Sequence, residues 1–209
     1  MTLSSKELTK YYITQNYWDF GGGLIFDENW NEVGKIQNKL FSINKCFEIR
    51  DMDNQILATI QKRIISLHKT QVIKNARGND IGTVVRKKIL FKPPKFYFRK
   101  TKEKALYIAL GTNFQDSFEI LGFTDIKIAN VSKLKNSMNN LDSSNNSDTE
   151  FLVLKLVNNN VNRIELITMV ISIENLIYGT FFLSDIAGYG RLTMRLRPFG
   201  PGIKERDLK

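Results

Sequence analysis

Residues 161–179 read VNRIELITMVISIENLIYG, and this stretch decides the fold. On a helical wheel Asn162, Glu165, Thr168, Ser172 and Asn175 fall three or four apart and make one narrow polar stripe. The rest is Ile, Leu, Val, Met or Tyr, apart from Arg163 and Glu174 near the ends. A surface helix carries an apolar stripe, whereas a helix apolar over most of its circumference is surrounded by other structure. The uncharged run between Glu165 and Glu174 is shorter than the roughly 20 residues that cross a bilayer. A buried strand would account for Met169–Ile173 but not for the regular polar stripe. The reading is a helix enclosed by β-structure.

The chain that precedes it is mainly β. Three units repeat the same text: a short apolar run, a turn rich in Asp, Asn or Gly, and a second run. They are LIF at 24–26 with VGKI at 33–36, FEI at 47–49 with ILATI at 56–60, and QVI at 71–73 with IGTVV at 81–85. Strand-like runs at 39–43 and 63–67 lie between them, so this half reads as an antiparallel meander with one apolar face. Further strands are expected at 105–109, 118–123, 127–131 and 151–157, with Asn158–Asn160 as candidate caps for the helix. Residues 1–11 read as a lead-in, 12–185 as one domain, and 186–209 as a basic flexible tail. Within the domain, the Asn- and Ser-rich segment 135–150 reads as a disordered loop.

Composition removes most chemistry. A hydrophobic share of 42% with 25% charged residues fits a soluble globular chain. Residues 1–12 show no basic-then-apolar leader, so an intracellular, cytoplasmic protein is expected, with peripheral membrane association open. One cysteine (Cys46) and one histidine (His68) exclude an internal disulfide, a cysteine zinc centre and Cys–His catalysis. Cys46 lies in an apolar run and reads as a buried, inert thiol. The glycines at 21–23 lack the Lys-Ser/Thr and helix start of a phosphate loop. Asp51-Met52-Asp53 lacks the sixth-position Gly and twelfth-position Glu of a calcium loop, since Ile56 and Lys62 stand there. No catalytic residue, metal ligand, cofactor or disulfide-linked partner is expected.

The net charge of +10 is concentrated. Residues 60–104 hold fourteen Lys or Arg against Asp80 and Glu103, a local charge of +12, and 191–209 adds +4. Such a block attracts polyanions: anionic phospholipid, inositol phosphates or nucleic acid. Within it, KKILFKPPKFYFRKTKEK at 87–104 interleaves bases with Phe91, Phe96, Tyr97 and Phe98. That pattern suits base stacking on single strands and equally a membrane face. It also suits a plain strand with Phe96 and Phe98 inward and Lys95 and Tyr97 outward. Pro93 and Pro94 must interrupt or edge the sheet.

The strand pairs LIFDENWNEVGKI and FEIRDMDNQILATI, then ISLHKTQVI, followed by NRIELITMVISIENLIYG, resemble the LURP-one-related family. That family belongs to the tubby C-terminal-like group, which includes the phospholipid scramblases. The resemblance implies a closed antiparallel β-barrel of about twelve strands around the central hydrophobic helix. It also implies association with phospholipid or phosphoinositide. The chain lacks the cysteine cluster and Pro-rich arm of the scramblases.

The leading expectation is a non-enzymatic, peripheral binder of anionic phospholipid or phosphoinositide. Its candidate residues are Lys62, Arg63, Arg86, Lys87, Lys88, Lys92, Lys95, Arg99 and Lys100. The alternative is a nucleic-acid binder using the same surface. Scramblase-like activity stands further back, because carrying Glu165 and Glu174 into a bilayer costs about 2–3 kcal/mol each.

Overall fold

Alternating runs become strands, and the stretch 163–178 becomes the helix, in the computed structural model of the protein. It describes residues 2–14, 22–39, 46–63, 69–89, 92–100, 105–111, 114, 116–136 and 149–178. The strands are β1 Lys10–Thr14, β2 Gly23–Phe26, β3 Glu32–Lys39, β4 Cys46–Arg50, β5 Ile56–Lys62 and β6 Thr70–Asn75. They continue with β7 Asp80–Ile89, β8 Lys92–Arg99, β9 Ala105–Leu110, β10 Ser117–Gly122, β11 Lys127–Asn136 and β12 Thr149–Leu156. Helix α1, Arg163–Tyr178, follows. Each strand pairs antiparallel with its sequence neighbours, and β1 pairs with β12 to shut the barrel. Closure leaves no unpaired edge.

The expected hairpins appear as β2–β3, β4–β5 and β6–β7. One turn chemistry explains them. In Asp27–Asn31, Asp51–Gln55 and Asn75–Asn79 the fourth N–H donates to the first carbonyl, at 3.2, 3.2 and 2.9 Å. The first side chain accepts from the fifth N–H at 2.9, 2.8 and 3.0 Å. Asp51 is thus engaged by its own turn. The fourth residue takes a left-handed φ, 64° at Trp30, 65° at Asn54 and 79° at Gly78. Asn and Gly adopt this readily, whereas Trp30 is held there by stacking on Tyr12 at 4.1 Å and packing edge-on to Phe151 at 5.3 Å.

Inward positions converge on one core. Ile25, Ile36, Ile49, Ile60, Ile73, Val84, Phe96, Phe98, Ile120, Val131, Leu152 and Leu154 surround α1. Residues Leu166–Ile173 of the helix are fully buried, and even Thr168, Ser172 and Glu174 of its polar complement are shut in. Burying each large apolar side chain contributes about 1.5–3 kcal/mol, which makes the enclosed helix the main apolar partner of the wall.

Several local expectations shift. The helix is capped by Asn162, whose Oδ1 accepts the Glu165 N–H at 3.2 Å, rather than by Asn158–Asn160. The polar cap must sit immediately before the first helical residue, here Arg163. β1 begins at Lys10, and Leu3 and Leu8 of the expected lead-in join the core. Isolated apolar residues among polar ones carry no period, which is why 1–11 read only as a lead-in. β11 and β12 pair as far as Lys135↔Glu150 and Asn136↔Thr149, taking up both ends of the segment 135–150. Pro93 and Pro94 fall at the start of β8, before its pairing with β9 begins at Phe96, and opposite a register shift between Lys87 and Ile89. The runs at 40–43 and 64–67, the loop interior 137–148 and the tail 179–209 lie outside the described residues.

Candidate functional site

The basic segment folds into consecutive strands, so its charges gather on the sector β5–β8. Strand parity then divides them. Val84, Arg86, Phe96 and Phe98 share the inward face, and Val85, Lys87, Lys95, Tyr97 and Arg99 the outward one. Phe96 and Phe98 are fully buried, as the plain-strand reading has it. Tyr97 is the one ring among these three that faces out; Phe91 lies outside the described residues.

Two of the nine candidate bases serve the helix. Arg86 Nη1 donates to the Leu176 carbonyl at 2.9 Å, and its guanidinium lies 5.9 Å from the Phe96 ring centre. A cation on the last-turn carbonyls satisfies an orphan acceptor and opposes the helix dipole. Arg86→Ala should therefore lower the unfolding free energy by about 2 kcal/mol, a loss typical of a hydrogen bond to a charged group and readable as a lower urea midpoint. At the other end, Lys100 Nζ lies 3.5 Å from Glu165 Oε1, beside the Tyr107 hydroxyl. Burial, with Glu165 adding to it, pushes that hydroxyl up to about 12.

The remaining described bases face solvent. Lys62 and Arg63 are exposed at the end of β5, Lys87 and Arg99 are exposed on β7 and β8, and Lys95 is half-buried. The side chains of Lys88 and Lys92 lie outside the described residues. Lys87 and Lys95 are direct cross-strand partners. Like charges in that position oppose sheet pairing, so folding gives no reason for the arrangement. β7 and β8 contain one acid, Asp80, and it is 3.0 Å from Lys74 of β6. On other strands two acids offset neighbouring bases. Glu48 sits between Lys39 and Arg50, 2.6 Å from Arg50 Nη2, and Glu119 lies 2.7 Å from Lys127. Arg99 lies 5.5 Å from the Tyr97 ring centre, a cation–π contact that orients it along the strand.

A groove of about 640 Å³ opens beside this wall, lined by Pro93, Lys95, Leu110, Ser117, Asn130 and Ser132 among others. Four strands, β8–β11, supply it, so no local motif announced it. Lys95 belongs to both the basic wall and the groove. The interior holds a second unannounced group: Glu174 Oε2 lies 3.7 Å from Lys133 Nζ inside the barrel. Burial pushes the Cys46 thiol up, away from nucleophilic use. Among the described residues no three His, Cys, Asp or Glu gather as metal ligands, and no helix is long and apolar enough to cross a membrane.

No curated protein matches the chain. A crystal structure of a protein from Arabidopsis thaliana superposes with a TM-score of 0.51 at 14% identity, covering 83% of this chain and 98% of that one. At that identity the likeness speaks for the fold alone. The profile of the LURP-one-related family matches residues 9–173, the span of the barrel from the threshold of β1 into α1. With the closed twelve-strand barrel and its enclosed helix, that match places the chain in the LURP-one-related family.

Proposed function

We propose that the protein is a non-enzymatic module that docks on anionic phospholipid or phosphoinositide through the outward face of β7–β8. Lys87, Lys95 and Arg99 form the centre of the contact, and Lys62 and Arg63 extend it along the rim. The observation that carries the reading is the directly opposed Lys87–Lys95 pair on a ladder whose only acid is already paired. An anionic leaflet supplies the missing counter-charge, and the adjoining groove has room for a headgroup beside Lys95. Each base near such a surface contributes about 1 kcal/mol, so the interaction is useful but sensitive to salt.

The test is co-sedimentation with phosphatidylcholine vesicles carrying or lacking phosphatidylserine or phosphatidylinositol bisphosphate. The triple variant Lys87→Ala, Lys95→Ala, Arg99→Ala should lose about 3 kcal/mol, roughly a 100-fold drop in partitioning. Equal pelleting of variant and parent sinks the proposal. Tyr97, outward and stacked with Arg99, is the observation that favours nucleic acid as a second reading. Tight binding of a single-stranded RNA with a steep salt slope, but no vesicle pelleting, would select it.

A further inference from the structure

The barrel has two ends, and hairpins of an up-and-down meander alternate between them. The turns β2–β3, β4–β5, β6–β7 and β10–β11, together with the link from β12 to α1, all open at the end where the helix begins. That end carries unusual residues at its tips. Phe123 and Ile126 of the β10–β11 turn are each 60% exposed, and Val157 of the link is 55% exposed. Trp30 and Met52 crown two other turns of the same end at 42% and 41%.

Phe123, Ile126 and Val157 form one patch on a firm support. Asp125 N–H donates to the Gly122 carbonyl at 3.0 Å and Gly122 N–H to the Ile126 carbonyl at 2.8 Å, with Asp125 at φ 58°. The Val157 N–H donates to the Ile128 carbonyl at 2.8 Å, which fastens the link to β11 two residues from Ile126. The exposure therefore belongs to an ordered tip. Phe123, Ile126 and Val157 each leave more than half of their surface in water, and exposed clusters of this kind mark contact surfaces.

Charge around the patch identifies the surface it meets. Lys155 and Lys10 are direct cross-strand partners on β12 and β1, a like-charge pair of the kind that sheet pairing disfavours and that Lys87–Lys95 and Lys35–Arg50 also form. Lys127 follows Ile126 immediately and also reaches Glu119. The exposed Asp125 is the one unpaired acid in the turn itself. Apolar side chains with Lys10, Lys127 and Lys155 on the adjoining strands β1, β11 and β12 match the layering of an anionic bilayer, with headgroups outside and acyl chains beneath. The acids Glu28, Asp53 and Asp80 of this end sit at other hairpins. β8 also ends at this end of the barrel, at Arg99. Arg99 is thus the part of the basic wall nearest the apolar tip, whereas Lys62 and Arg63, at the close of β5, lie at the other end.

We infer that Phe123, Ile126 and Val157 insert into the interfacial region of an anionic phospholipid bilayer, with Lys10, Lys127 and Lys155 seated on the headgroups, so that the protein binds tilted onto its helix-start end. The inference rests on the proposed lipid binding and adds its depth and orientation.

The single buried Cys46 allows a clean test. Phe123→Cys and Arg77→Cys, the latter at the polar β6–β7 tip, are labelled in turn with an environment-sensitive fluorophore and mixed with phosphatidylserine-containing vesicles. The label at 123 should brighten and shift to the blue, and the label at 77 should stay nearly unchanged. Phe123→Ser with Ile126→Ser should weaken pelleting about tenfold or more, a loss expected for two apolar anchors at an interface. Pelleting of the parent with a silent label at 123 and an unaffected double serine variant would overturn the insertion while leaving lipid binding intact. Absence of parental pelleting would overturn both. A label at 123 that brightens with protein concentration in the absence of vesicles would assign the tip to a second copy and overturn the inference as well.

Discussion

Phe98→Ala should lower the unfolding free energy by about 3–5 kcal/mol, the range for deleting a buried aromatic ring. The reason for expecting the upper part of that range is Gly82. Phe98 is fully buried, and its ring lies directly over this glycine, where an added Cβ would stand 2.5 Å from Phe98 Cζ. A floor without a side chain cannot move up to fill the hole, and Tyr107, tilted against the ring at 5.6 Å, is itself fixed in a strand. The pairing makes a sharper expectation available. Gly82→Ala in the intact protein should destabilise by about 1–3 kcal/mol through overpacking. In the Phe98→Ala background the same methyl enters vacated space and should stabilise. Guanidinium midpoints of the four proteins measure the coupling, and simple additivity would show that ring and glycine do not share a volume.

The second large effect is a pH dependence centred on Glu174. Burial pushes its carboxyl from 4.5 up to about 7; Lys133 opposes the shift and Glu150 adds to it. A folded-state value above the unfolded one means that the folded protein holds the proton more tightly. The stability this contributes is complete below pH 4.5 and falls as pH rises toward 7. At about 1.4 kcal/mol per pH unit, the loss across that window approaches roughly 3 kcal/mol. Glu174→Gln keeps the shape and removes the titration. Its stability should match the parent at pH 4.5 and exceed it by about that amount at pH 8, less whatever Lys133 loses in the exchange. Unfolding midpoints that run parallel between those pH values would refute this account of the interior.

Much of this architecture was legible in the residues, for reasons that can be named. The turns were readable because Asp27, Asp51 and Asn75 do the same work in their hairpins, closing each turn with their own side chains. The helix was readable because apolar residues run round most of its circumference, broken by one narrow polar stripe at helical spacing. The candidate site was legible only as a stretch of chain. Arg86 and Lys87 are adjacent in sequence, yet one binds the end of α1 and the other faces water. A charge count cannot separate them until the register is fixed, because parity flips with every residue. The groove escaped for a different reason, since its walls come from four strands spread over some forty residues. Glu174 was visible in the sequence but read as an end residue, when the barrel in fact reaches past it and closes over it.

The seam between β1 and β12 carries a consequence for how the molecule is made. Its two sides, Lys10–Thr14 and Phe151–Lys155, are nearly as far apart in the chain as the sheet allows. The helix that fills the interior is translated only after the last strand. A ribosome therefore releases eleven strands before the twelfth can join the first, and the rod must arrive while the seam still gapes. Until α1 docks, the inward faces of the strands lack their main apolar partner. Such long-range closure is slow to nucleate, and a chain whose seam has not yet formed exposes unpaired strand edges. The period between translation of β1 and docking of α1 is when this chain most needs protection from aggregation.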